Sequence, residues 1–290
     1  MVCAFIASVL PCAAAAGGTS ININPVTGDD SLCGVAPDKN ISCKTVARAV
    51  ELNVASILIM SAGTYNEPPI TIRNVASLAI VGVPGATVFD CSSRLDKAFY
   101  IVNSTVTITG VTFQDCRNTS SHGGAVSAIA SSIVVSQCSF TRCKAASGGA
   151  ISATGPDKGL FLSIQNSTFR DNTAYGMPED CPSTPTQQPC STWGGAIAAF
   201  EMFNVAVSGC GFSGNRAVAY TPQDVNAISS VAGGGCVSIL FRGNATGSRV
   251  RINDNKFLEC YVSVNPSSNL PRGNGAYESH LNMLDVTKQV

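Results

Sequence analysis

Phe140-Thr-Arg-Cys143-Lys-Ala-Ala-Ser-Gly148-Gly149-Ala150-Ile151 decides the fold, because the chain repeats it. Upstream stand Phe113-Gln-Asp-Cys116 and Gly123-Gly124-Ala-Val. Downstream stand Phe169-Arg-Asp-Asn172 with Gly194-Gly195-Ala-Ile, and Phe212-Ser-Gly-Asn215 with Gly234-Gly235-Cys-Val. A degraded fifth copy is Phe257-Leu-Glu-Cys260 with Gly275-Ala276. Self-similarity at a period of roughly 25 residues, with some longer copies, points to a solenoid.

Each unit has the same internal order. An alternating, β-branched run leads into the phenylalanine, as in Val106-Thr-Ile108-Thr-Gly-Val-Thr-Phe113, and reads as strand. Cys or Asn follows three residues later, then a corner, then Gly-Gly. Glycine there supplies positive φ or close backbone approach, and the small residue after it fits where stacked turns leave little room. Such short strands can wind as one coil per repeat, each pairing in parallel with its copy about 4.8 Å away. A sandwich of short strands does not explain why Gly-Gly returns at the same place. The reading is therefore all-β, a right-handed parallel β-helix.

Within the 290 residues, 1–16 read as a signal peptide, 17–280 as one β-helix domain and 281–290 as a tail. The segment 33–53 reads as an N-terminal cap. There Val46, Ala47, Ala49 and Val50 have helical spacing behind Ser42 or Thr45 as N-cap. A solenoid needs such a cover, because its first coil would otherwise present open strand edges.

Zero formal net charge and no basic block argue against nucleic acid as partner, and no stretch is long and apolar enough to span a membrane. The thirteen cysteines less Cys3 and Cys12 of the leader leave eleven, an odd number, so at least one thiol pairs outside the chain or stays free. Cys33 with Cys43, Cys91 with Cys116 or Cys143, and Cys181 with Cys190 are the disulfide candidates. Coil spacing lets Cys116 lie beside both Cys91 and Cys143 yet bridge only one; Cys138 and Cys210, two coils apart, should stay unbonded. With two histidines, His122 and His280, and no Cys-x-x-Cys, no metal site and no cofactor is expected. Sequons at Asn40, Asn103, Asn118, Asn166 and Asn244 are glycosylation candidates.

Thr45-Val-Ala-Arg-Ala-Val50 followed by Ile57-Leu-Ile-Met-Ser-Ala-Gly-Thr-Tyr65-Asn-Glu67 resembles the opening of pectin-lyase-like β-helix proteins. The FxxN and GGA[IV] pairs resemble the repeats of the polymorphic outer membrane protein family. Together these resemblances cover most of residues 40–276. They imply a secreted or cell-surface molecule of adhesion type, extracellular, with a glycan or surface protein as partner. Bacterial members end in an outer-membrane barrel, so a fragment of such a protein would belong to the bacterial outer membrane.

Two further readings stand beside that non-catalytic one. A structural wall or coat component is the first. The second is a carbohydrate-active enzyme of pectinesterase, polygalacturonase or lyase type. Gly63-Thr-Tyr65-Asn-Glu67 resembles the opening motif of pectin methylesterases, and Gln114-Asp115 resembles part of their first aspartate motif. Their second aspartate motif and Arg-Pro-Trp motif are missing. Tyr65 and Glu67 then read as cap residues, His122 as an exposed corner residue, and no catalytic residue is assigned.

The corner between the Cys/Asn position and Gly-Gly is short in residues 117–122 and 144–147. It is long in 173–193, 216–233 and 261–274. Long insertions in a compact fold are usually functional or disordered, and stacked coils must project all three from one edge. Tyr175, Trp193, Tyr220 and Tyr261 fall in or beside them and are the candidate partner-binding residues, since such rings stack on sugars and proteins.

Overall fold

The computed structural model describes residues 19–34, 41–94, 96–118, 121–155, 157, 159–175, 192–202, 204–221, 232–242, 249–266, 277–279 and 284–289. In it the buried positions of successive coils follow one count. They run Val106, Ile108, Val111, Phe113, Cys116; then Ile133, Val135, Cys138, Phe140, Cys143; then Leu162, Ile164, Ser167, Phe169, Asn172. The step is two within a strand and three across a corner. At each three-step one residue takes the left-handed conformation. These are Gly110, Gln137, Asn166 and Gly209 at the first corner, and Asp115, Arg142, Asp171 and Gly214 at the second.

The run expected as one strand before each phenylalanine is therefore two. Thr105–Thr109 and Val111–Gln114 flank Gly110, and later coils repeat the break. The left-handed residue turns the chain sharply and shifts the inward phase by one. Period-two alternation survives on either side.

Three long sheets result. One of eight strands runs from Ser20–Ile23 to Arg249–Asn253, one of seven from Gly63–Tyr65 to Lys256–Leu258, and one of seven from Ile70–Arg73 to Leu284–Gln289. A fourth, narrow sheet holds Arg117–Asn118, Lys144–Ala145, Thr173–Tyr175, Arg216–Thr221 and Tyr261–Pro266. Equivalent residues pair one coil apart, as Phe113 with Phe140 with Phe169 with Phe212 with Phe257. Pairing is parallel except where Tyr277–Ser279 lies antiparallel on Tyr261–Pro266. The architecture is the expected right-handed parallel β-helix. Leu284–Gln289 pairs with Val237–Arg242, so the third sheet extends into the residues expected to be a tail. Residues 1–18, and with them the expected leader, lie outside the described residues, as do Gly275 and Ala276.

Every second-sheet strand contributes its aromatic residue to a stack inside the coil. Tyr65, Phe89, Phe113, Phe140, Phe169, Phe212 and Phe257 follow one another at 4.8–5.7 Å between ring centres. From Phe113 upward the planes tilt by 10° or less. Each such contact adds about 0.5–1.5 kcal/mol beyond the buried area.

The Gly-Gly pair closes the coil. Gly123, Gly148, Gly194 and Gly234 have φ between +61° and +74°. A Cβ on Gly149 would strike the carbonyl oxygen of Gly195 in the next coil, so the second glycine answers close approach rather than backbone twist. The following Ala125, Ala150, Ala196 and Cys236 are fully buried.

The lower end is covered by the helix Val46–Leu52, with Thr45 as N-cap accepting from the Arg48 amide. Glu67 completes the cap by accepting from the Val46 and Ala47 amides at 2.8 and 2.9 Å. The Cys33–Cys43 disulfide ties the preceding loop, as expected.

Phe140→Ala removes a ring stacked on both sides and fully buried, and should cost about 3–5 kcal/mol. Phe257→Ala, at the half-buried end of the stack, should cost clearly less. Urea unfolding of the two variants checks the order; equal losses would mean that the stack adds nothing beyond local burial.

Candidate functional site

A left-handed corner interrupts the ladder, leaving an amide without its strand partner. Side chains from the coil above supply the acceptor. Ser104 Oγ accepts from the Val75 amide, and Ser131 Oγ from that of Ser104. Ser167 Oγ accepts from the Cys138 amide, and Asn255 Oδ1 from that of Cys210. At the second corner Asn172 Oδ1 accepts from the Cys143 amide at 2.9 Å, and Asn215 Oδ1 from the Asn172 amide at 3.0 Å. Asn172 Nδ2 donates to Asn215 Oδ1 and to the Phe140 carbonyl. Asn172 and Asn215 are thus a stacked, inward pair, and the left-handed geometry belongs to Asp171 and Gly214 before them.

The same column continues downward in sulfur. Cys91 and Cys116 are bonded, with Cα atoms 4.6 Å apart, and Cys143 above them is a buried free thiol. Of the disulfide candidates, Cys143 is thus corrected, because Cys116 has one sulfur and Cys91 holds it. Cys138 and Cys210 are also unbonded. Cys181 and Cys190 lie outside the described residues. One pairing escaped the sequence reading. Cys236, in the place of the small alanine, bonds Cys260 in the Cys/Asn column, and the signal was its position facing that column across the coil. Asn215 Nδ2, 3.5 Å from Cys236 Sγ, shows the same proximity.

The edge carrying the insertions is built directly above these columns. Thr173–Tyr175 pairs with Arg216–Thr221, which pairs with Tyr261–Pro266, so three insertions leave from neighbouring strands. Two of them return side by side, Thr192–Trp193 pairing with Ala232–Gly233. Trp193 is half-buried; its amide donates to Ser147 Oγ and its carbonyl accepts from the Gly148 amide. Tyr175 and Tyr261 are half-buried at the feet of the first and third insertions. The fold thus brings Tyr175, Trp193 and Tyr261 to one edge. Residues 176–191, 222–231 and 267–276, and the side chain of Tyr220, lie outside what is described.

Residues weighed for catalysis have other engagements. Tyr65 is buried, and its hydroxyl donates to the Ile23 or Ser61 carbonyl. Burial raises the Glu67 carboxyl above its ordinary range, against the pull of the two helix amides it accepts from. Asp115 receives a two-pronged hydrogen bond from Arg142 at 2.8 and 2.6 Å, which raises the Arg142 guanidinium further. That exposed pair contributes about 0–1 kcal/mol. His122 is exposed, its ring 5.5 Å from that of Phe200. Asp30 lies near Cys33 and Cys43, but their sulfurs are joined and Asp30 accepts from the Lys44 and Thr45 amides.

Asn103 and Asn166 are exposed at left-handed corners. Asn118 is corrected as a glycosylation candidate in the folded chain: it is 2% exposed, and its Nδ2 donates to the His122 carbonyl. Asn40 and Asn244 lie outside the described residues. Among the described residues no helix is long and apolar enough to cross a membrane.

Asn172→Ala should strand the Cys143 amide and cost about 1–3 kcal/mol for each buried group left unpaired. A thermal melt indistinguishable from that of the parent would remove the polar column as a source of stability.

No protein-family model and no curated protein matches the sequence. Among solved structures, a rhamnogalacturonan lyase is similar at 12% identity and a TM-score of 0.37, over 93% of this chain and 80% of the lyase chain. ORF18 of Geobacillus virus E2 is similar at 13% identity and a TM-score of 0.30, over 89% of this chain and 63% of the viral one. The chain is therefore described by its own geometry, a parallel β-helix with three insertions at one edge.

Proposed function

We propose that the chain is a secreted or cell-surface β-helix that binds an extracellular partner, a glycan or a surface protein, without catalysis. The insertion-bearing edge is its binding face. The observation that carries this reading is the pairing of Thr192–Trp193 with Ala232–Gly233 beside the paired strands Thr173–Tyr175 and Arg216–Thr221. A rigid platform holds the bases of neighbouring insertions in register, and aromatic residues stand at those bases. Binding residues concentrate on loops positioned by such scaffolds. The ordered alternation of FxxN-type and GGA[IV] units, which resembles the repeats of polymorphic outer membrane proteins, supports a surface location. The disulfides suit an oxidising compartment.

Among the described residues, the acidic and basic column of Asp115, Arg142 and Asp171 favours a second reading, a carbohydrate-active enzyme. Turnover of a pectic polysaccharide that disappears in Asp115→Ala would establish it.

The binding reading is tested with a glycan panel and cell-surface binding. Trp193→Ala leaves the two backbone bonds of that residue in place, and should weaken binding by roughly tenfold or more, as loss of a central aromatic contact does. Replacing residues 222–231 with a short Gly-Ser turn should do the same. Both variants should melt with the parent. Binding that survives both changes would sink the proposal.

A further inference from the structure

Cys143 stands in the column of Cys116, one coil above, since Gln114 pairs with Thr141 and Arg117 with Lys144. Coil spacing of about 4.8 Å lies within the Cα separations that a disulfide accepts. Cys143 Sγ lies between the Thr141 carbonyl of its own coil, at 3.7 Å, and the Phe113 carbonyl of the coil below, at 4.0 Å, three residues before Cys116. Cys116 thus has one partner below, Cys91, and a second sulfur placed above. In the next two coils the column carries Asn172 and Asn215, whose oxygens serve the amides beneath them. Cys143 supplies no such oxygen to Cys116, so the amide column stops where the sulfur column begins.

We propose that Cys91, Cys116 and Cys143 form a thiol–disulfide exchange device, in which Cys116 is bonded alternately to Cys91 and to Cys143. The Cys143 thiol loses its proton to solvent and attacks Cys116 Sγ. The Cys116–Cys143 bond forms, the Cys91–Cys116 bond breaks, and Cys91 leaves as a thiolate that takes up a proton. One disulfide and one thiol exist before and after, so no oxidant or reductant is consumed. Exchange releases the segment after Cys91, whose Ser92, Ser93 and Arg94 are exposed, from its tie to the coil above. It also moves the free thiol from Cys143 to Cys91, at the lower end of the column, next to the exposed Ser92. Burial pushes the Cys143 thiol up to about 12, which keeps the device closed in the intact coil. Opening of this corner is the gate.

The test is peptide mapping under non-reducing conditions after acid trapping and alkylation. In Cys91→Ser, produced under oxidising conditions and taken as the folded monomer from size exclusion, a Cys116–Cys143 peptide is expected. Cys116 and Cys143 both recovered as alkylated thiols would overturn the proposal. If that variant gives no folded monomer, the wild-type chain decides, incubated in a graded glutathione buffer. A Cys116–Cys143 peptide at intermediate poise, absent in Cys143→Ser, is expected. Direct passage from the Cys91–Cys116 form to the reduced form, with no exchanged species at any poise, would overturn it.

Discussion

The backbone amide freed at each left-handed corner is the constraint from which the rest of this solenoid follows. A coil must turn, and Gln137, Arg142, Asn166 and Asp171 turn it in one residue each. The turn interrupts the ladder at a buried position. A stranded amide there costs about 1–3 kcal/mol, and the penalty would recur in every coil. The chain answers with one polar side chain from the coil above. Position after position along the axis therefore becomes serine, asparagine or cysteine, although all but the half-buried Asn255 are buried. Cysteine is the partial answer, because its sulfur is a weak acceptor. Cys138, Cys143 and Cys210 instead lie near carbonyl oxygens of their own coil and of the one below.

Register and packing reinforce this solution. A one-residue slip between coils would send every inward side chain outward. It would also unstack the rings from Phe113 to Phe257 and move Asn172 away from Asn215. The stack resists slip through shape and area, the amide column through direction. At the lower end both run out, and the helix Val46–Leu52 covers the exposed coil. Glu67 then serves the helix amides that no coil below could reach, which accounts for a glutamate two residues beyond the last aromatic of the stack.

Much of this was readable in the chain before any coordinates. The recurrence of phenylalanine and Gly-Gly names the coil, and the order of Cys91, Cys116, Asn172 and Asn215 names the column. The split of each long strand was not read, although the residues carry it. Val106 and Ile108 are even-numbered and Val111 and Phe113 odd, a phase slip that a single strand cannot have. Asn118 looked like a surface sequon because sequence spacing places it at a turn. Only the path of residues 121–123 back over it shows why its amide is consumed within the fold. Cys236 was hidden by its position in the repeat, where a cysteine substitutes quietly for alanine. Its partner Cys260 is distant in sequence and adjacent only across the coil.

The three long insertions fall between the narrow sheet and Gly-Gly, while a shorter one, residues 155–160, separates Ile151–Thr154 from Phe161–Gln165. At the two left-handed corners of the long sheets the column side chain comes one residue after the turn, so added residues would move it off its amide. Between the narrow sheet and Gly-Gly the described residues show no such stack, only the Trp193 amide on Ser147 Oγ. The first glycine, with positive φ, re-aims the chain, and the second sets its distance from the coil above. Ile151 consequently pairs with Ile197 and Ile197 with Val237, although the connections leading into them differ several-fold in length. The closure cost of a longer loop grows only with the logarithm of its length, whereas a misplaced column residue costs a full buried amide. Most of the variation in length is thereby placed at one edge while the sheets beneath it stay in register, the division of labour that the proposed binding face uses.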